Sequence, residues 1–157
     1  MKDNTSRTDQ LATLLQLEKR ARACADAQEL GFLMVNDTHA LAPCRQAALW
    51  TPGAGGNGGI AALSGLAVPD PNAPYTVWLA GMLAGRARAG ASGVLSPLPE
   101  EQVMWAEHLP AHGLLLRLPL DAREGGERVD ALLALWRDTP WLGSETTLLG
   151  LLADAYA

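Results

Sequence analysis

Val129-Asp130-Ala131-Leu132-Leu133-Ala134-Leu135-Trp136-Arg137 contains helix-favouring residues, yet it is also short and apolar enough to be a strand buried on both faces. Propensity leaves both states open, and tertiary context must choose between them. The neighbouring sequence favours the strand. Residues 113–118, Gly-Leu-Leu-Leu-Arg-Leu, form a second apolar run, and the charged, Gly-containing segment 121–127 between the two runs has the composition of a hairpin loop. The two runs are therefore expected to pair as antiparallel strands. Asp138-Thr139-Pro140-Trp141 closes the later strand with a turn.

Further upstream, residues 46–50 and 60–68 are apolar and are separated by Gly53-Ala54-Gly55-Gly56-Asn57-Gly58-Gly59, a composition that permits positive φ and a reversal of the chain. A second antiparallel pair is expected there. Helices fill the rest. Residues 8–28 contain no Gly or Pro, Asp9 can cap them, and Leu11, Leu14, Leu15, Ala21 and Ala25 recur at helical spacing. Gly31 is read as a break before a second helix that ends ahead of Pro43. A third helix is predicted over 75–88 with Trp78, Leu79, Met82 and Leu83 on its buried side, where Gly81 and Gly85 suggest close packing. Residues 89–99 read as irregular, Glu100-Glu101-Gln102 opens a short helix to His108, and Ser144 with Glu145 starts the last one. The order helix, helix, strand, strand, helix, short helix, strand, strand, helix predicts one α+β domain over 8–157 behind a flexible stretch 1–7.

Composition narrows the class. The chain has 157 residues, 48% apolar and 18% charged, enough for one buried core. Twelve Lys and Arg against 17 Asp and Glu give a charge of −5, so no nucleic-acid partner is expected. Two Cys make no disulfide framework and suit a reducing compartment. The N-terminus lacks the apolar core of a secretory signal, and the charge-free stretch 46–69 is interrupted by its Gly-rich turn, so a cytoplasmic location is expected. From 146 to 157 only Asp154 is charged and no stop signal follows, so contact with a membrane is expected only through a segment beyond 157.

No constellation for catalysis, metal or cofactor emerges. His108 and His112 are separated by Pro110, which forbids the helical turn that would put both imidazoles on one metal, so they read as loop histidines. His39 reads as a helix-end residue, and its near neighbour Asp37 points elsewhere. The Gly-rich turn lacks the Gly-Lys-Ser/Thr ending of a phosphate loop, and neither Ser64-Gly65 nor Ser92-Gly93 has the Gly of a nucleophile elbow. Glu100 and Glu101 read as a solvated first turn, and the charges of 121–128 as a solubilising loop. Thiol redox chemistry at Cys24 or Cys44 would need a depressed pKa and exposure.

The run Leu133-Ala134-Leu135-Trp136-Arg137-Asp138-Thr139-Pro140-Trp141 followed by a helix to Tyr156 resembles the C-terminal third of a GAF domain, and Arg45-Gln46-Ala47-Ala48-Leu49-Trp50 resembles its first core strand. The resemblance implies an antiparallel sheet flanked by helices on both faces, with the central helices over the face where a ligand would sit. Trp78, Met82, Met104 and Trp105 would then wall a pocket, with His108 or Arg117 as its polar contact. It also implies that the first and last helices pair two copies into a homodimer through Leu14, Leu17, Leu148, Leu149, Leu151 and Leu152.

A narrower likeness rests on Leu30-Gly31-Phe32-Leu33-Met34-Val35-Asn36-Asp37-Thr38, Pro43-Cys44-Arg45-Gln46-Ala47, Val68-Pro69-Asp70-Pro71-Asn72-Ala73-Pro74 and Leu152-Ala153-Asp154-Ala155-Tyr156. These motifs resemble the cytoplasmic N-terminal segment of haemolysin-secretion-type membrane-fusion proteins and imply a non-enzymatic regulatory or interaction module in efflux or secretion. A free-standing small-molecule sensor is the alternative. The single Phe and the lack of Asn-Lys depart from the cyclic-nucleotide-binding branch, and Cys24 and Cys44 match neither the bilin-binding nor the methionine-sulfoxide-reducing branch.

Overall fold

Ala131 to Arg137 is a strand, and its neighbours explain why. Six successive residues, 131–136, are buried, a pattern that a central strand satisfies on its two faces and a helix only if surrounded on all sides. The computed structural model describes residues 2–52, 58–65, 72–90, 92–118 and 131–156. Along the chain the elements are α1 (Lys2–Arg22), α2 (Ala27–Asp37), β1 (Gln46–Thr51), β2 (Gly59–Leu63), α3 (Pro74–Arg88), β3 (Gly93–Leu95), α4 (Gln102–His108), β4 (His112–Leu118), β5 (Ala131–Arg137) and α5 (Gly143–Tyr156). Short 3₁₀ turns extend α2 over Thr38–Ala40 and precede α4 over Pro99–Glu101.

The strands form one sheet in the order β2-β1-β5-β4-β3, antiparallel throughout. Both expected pairs, β1 with β2 and β4 with β5, are present. Period-two alternation then sorts the side chains. Ala47, Leu49, Leu114, Leu116, Leu133 and Leu135 meet α1, α2 and α5, while Ala48, Trp50, Leu115, Leu132, Ala134 and Trp136 meet α3 and α4. Helices therefore cover both faces, and the class is α+β.

Several boundaries move for identifiable reasons. α1 starts at Lys2, so Asp9 lies inside it and caps nothing. The break between the first two helices falls at residues 23–26 and not at Gly31. There Asp26 caps α2 by accepting from Glu29 N at 2.8 Å, while the Glu29 carboxylate accepts from Ala25 N at 2.9 Å. Gly31 continues α2 because that helix crosses the sheet closely: a Cβ there would stand 3.2 Å from Leu49 Cδ2. By contrast, a Cβ at Gly81 or Gly85 would meet nothing within 4 Å, so those glycines mark no close packing. The segment expected to be irregular holds β3, a three-residue edge strand too short to carry a periodic signal.

Glu101 corrects the reading of a solvated first turn. It is 8% exposed, binds Arg86 at 2.6 Å and accepts from Leu98 N at 2.9 Å. Residues 53–57 of the Gly-rich turn, residues 66–68 of the expected second strand and the charged loop 121–128 lie outside the described residues.

Candidate functional site

The face under α3 and α4 is the candidate site. Its floor is β1, β5 and β4, whose inward side chains include Trp50, Ala48, Ala134, Leu132, Trp136 and Leu115. α3 lays Leu79, Met82 and Leu83 on this floor at i, i+3 and i+4. Pro74 opens that helix, where its missing N–H would be unpaired anyway. α4 is a seven-residue helix with Trp105 as its buried residue. The Trp105 indole lies edge-on to Trp136, ring centroids 6.2 Å apart, and donates to the Pro110 carbonyl at 2.9 Å. Arg86 and Glu101, side chains 12% and 11% exposed, tie the end of α3 to the start of α4, and Arg86 also donates to the Ser96 carbonyl.

Of the residues expected to wall a pocket, Met82 and Trp105 lie together in this layer, and Trp78 packs half-buried at its margin. Tyr75 stacks on Trp78 at 6.3 Å and tilts against the exposed His108 at 4.9 Å, so His108 sits on the rim. Burial pushes the Tyr75 hydroxyl up to about 12. Arg117 projects from β4 and donates to the Ala87 carbonyl at 3.4 Å, while Met104 is half-buried on α4 outside the cluster. Among the described residues, three side-chain polar atoms are buried without a hydrogen-bond partner: Gln46 Oε1, Trp50 Nε1 and Trp136 Nε1. Trp50 and Trp136 stand on core strands, where packing is the ordinary role of an indole. The only signal for Gln46 was an amide sitting in phase with Ala48 and Trp50 on an apolar strand. A cavity of about 450 Å³ lined by Arg45, Gln46, His108, Pro110 and Asp138 opens at this end of the sheet.

The opposite face is closed by apolar side chains. Leu14, Leu17, Leu149 and Leu152 are buried there, Leu148 is half-buried, and Leu151 is exposed, as are Leu11 and Leu15 on α1. Thr38 Oγ1 and Tyr156 Oη meet at 2.9 Å in its interior, joining α2 to α5, and burial raises Tyr156 to about 12.

The turn after β5 has a structural role. Arg137 binds both Glu145 oxygens, donates to the carbonyls of Thr139 and Pro140, and lies 4.0 Å over the Trp141 ring. Glu145 in turn accepts from Leu142 N at 3.0 Å, and its hydrogen bond from Arg137 holds its carboxyl below the usual range against the opposing effect of burial. Nearby, Arg45 meets Asp138 through both carboxylate oxygens, at 3.0 and 2.9 Å.

Desolvation raises both thiols, Cys44 to about 11, so neither has the depressed pKa that thiolate chemistry requires. Asp37 pairs with Arg20 at 2.6 Å and not with His39. Ser64 accepts from Ala47 N at 3.0 Å. His108 and His112 end α4 and begin β4, and among the described residues no three His, Cys, Asp or Glu side chains gather as a metal set. No helix among those residues is long and apolar enough to cross a membrane.

This architecture is a GAF fold. The chain superposes on the crystal structure of the GAF domain of a protein assigned as a sensor histidine kinase from Pseudomonas syringae pv. tomato, with a TM-score of 0.60 over 99% of this chain and 88% of that one, at 19% identity. Neither a protein-family model nor a curated protein matches the sequence.

Proposed function

We propose that this chain is a non-enzymatic GAF regulatory domain that senses a small molecule on the face beneath α3 and α4. The observation that carries the reading is the asymmetry of the sheet. One face is closed with aliphatic side chains, and the other holds three Trp residues together with buried polar atoms that lack partners. Buried groups of that kind are costly unless something pairs with them in another state. A thermal-shift screen of planar and apolar small molecules tests the reading: binders should raise Tm and perturb Trp fluorescence, and a screen with no such compound removes it.

Pairing of two copies is part of the proposal. Leu11, Leu15 and Leu151 are the exposed leucines of α1 and α5, and a second copy would cover them, with the buried leucines supporting those helices from inside. Sedimentation at tens of micromolar should give a dimer, and a monomer there refutes the pairing.

Coupling to a membrane-fusion adaptor draws on the short motifs alone. Two of these motifs meet in the fold, Thr38 with Tyr156, and a third packs on the turn after β5, Pro43 and Arg45 with Arg137 and Asp138. Those contacts give the motifs a folding role whatever the setting. Discovery of an adaptor body and a charge-free span of about twenty residues in the same gene would support the adaptor reading.

A further inference from the structure

Two clefts open at the end of the sheet where β1 begins and β5 stops, and they share two residues, Arg45 and Asp138. The smaller, about 450 Å³, is polar, with the end of α4 along one side and Gln46 along another. The larger, about 740 Å³, is mainly apolar, walled by Pro43, Pro140 and the exposed Leu142. The ion pair common to both uses only part of its hydrogen-bonding capacity. Arg45 Nη1 alone reaches the two Asp138 oxygens, at 3.0 and 2.9 Å. Among the described residues no acceptor meets Arg45 Nε or Nη2, the two donors that form a fork for a carboxylate, and no second donor meets Asp138. Both side chains are exposed, 69% and 60%, so a ligand can reach them without opening the core. The α4 wall of the polar cleft favours a cation, because it is the C-terminal end of a helix and Pro110 has no N–H for the Ala106 carbonyl four residues before it.

We propose that a free α-amino acid with an apolar side chain binds across the Arg45–Asp138 pair. Its carboxylate accepts from Arg45 Nε and Nη2, and its ammonium donates to Asp138, so four charges alternate in sign around one small ring of contacts. An α-amino acid carries its two charges on neighbouring atoms of one short backbone, which suits partners already 2.9 Å apart. Because Arg45 and Asp138 also wall the apolar cleft, the ligand side chain turns into that cleft beside Leu142 and Pro140. The site lies outside the layer beneath α3 and α4, so it stands apart from the sensing face and does not depend on it.

The test is NMR of the ¹⁵N-labelled protein titrated with L-leucine, following the Arg45 Nε–H signal and the backbone signals of residues 106–109, 111 and 138–139. N-acetyl-L-leucine lacks the ammonium, L-leucinamide lacks the carboxylate and glycine lacks the side chain. L-leucine should shift these signals and bind about tenfold more tightly than each of the three, because a site that pairs with a group rejects analogues without it. Asp138→Asn should remove the preference over N-acetyl-L-leucine, and Arg45→Gln the preference over L-leucinamide. Such an exchange of preferences would not follow from a merely structural role of the pair, and the wild-type series decides alone if a variant does not fold. Absence of shifts with L-leucine at millimolar concentration overturns the proposal. Equal binding of L-leucine, its N-acetyl derivative and its amide overturns the zwitterion site, as do shifts confined to other residues. Glycine binding as tightly as L-leucine overturns the placement of the side chain in the apolar cleft.

Discussion

The two faces of the sheet are built on the same three strands yet are filled differently. Against α1, α2 and α5, the central strand sets Ala131, Leu133 and Leu135 into an aliphatic layer where the buried Thr38 hydroxyl is satisfied by both Tyr156 and the Met34 carbonyl. Against α3 and α4, the alternate residues Leu132, Ala134 and Trp136 face a Trp-rich layer with unpartnered N–H and C=O groups. The lesson is that burial is equally complete on both faces, but polar satisfaction is not. The first layer is a finished core, and the second has hydrogen-bonding capacity left over.

Breaking the finished face should have the largest effect. Leu133→Ala on the central strand should cost about 4 kcal/mol in urea unfolding, the cost of a cavity in a layer that cannot collapse. Glu145→Gln comes next at about 3 kcal/mol, since it leaves the Arg137 guanidinium buried beside a neutral amide. The same substitution sharpens the pH dependence. Because the Glu145 carboxyl is lowered in the folded state, its contribution is fully present above the unfolded value of about 4.3 and is lost as pH falls through the folded value. The wild type should therefore lose stability below about pH 4.3 more steeply than Glu145→Gln does.

Smaller effects separate the faces more finely. Gly113→Ala should cost about 2 kcal/mol, because its Cβ would stand 2.9 Å from the Leu95 carbonyl oxygen and 3.0 Å from Trp136 Nε1. Tyr156→Phe removes a satisfied buried hydrogen bond and should cost about 1 kcal/mol. Gln46→Met should run the other way, stabilising the free protein by up to about 1 kcal/mol by deleting an acceptor that has no partner. Destabilisation by Gln46→Met would mean that the amide is satisfied after all and that the two faces are alike.

Much of the fold was legible from local chemistry. The hairpin of β1 with β2, the Pro-initiated α3, the acidic start of α4 and the pairing of β4 with β5 follow from turn residues and apolar runs, which act over a few residues. The Asp26 and Glu29 capping pair was also present in the sequence, though the Gly-free run 8–28 concealed it. The site was legible only in part. Met82 and Trp105 could be placed by helical spacing, whereas the unpaired state of Gln46 and Trp136 depends on what lies across a strand pair.

The amino-acid order by itself determined the succession of most elements and the class of fold they build, because periodicity and turn geometry are local properties. Tertiary structure settled the state of 131–137, which propensity left open, since the hydrogen-bond partners of this central strand come from β1 and β4, both earlier in the chain and more than ten residues away. It alone also turned Glu101 and Glu145 from surface acids into buried partners of arginine, because an ion pair's worth is set by the solvent its surroundings exclude.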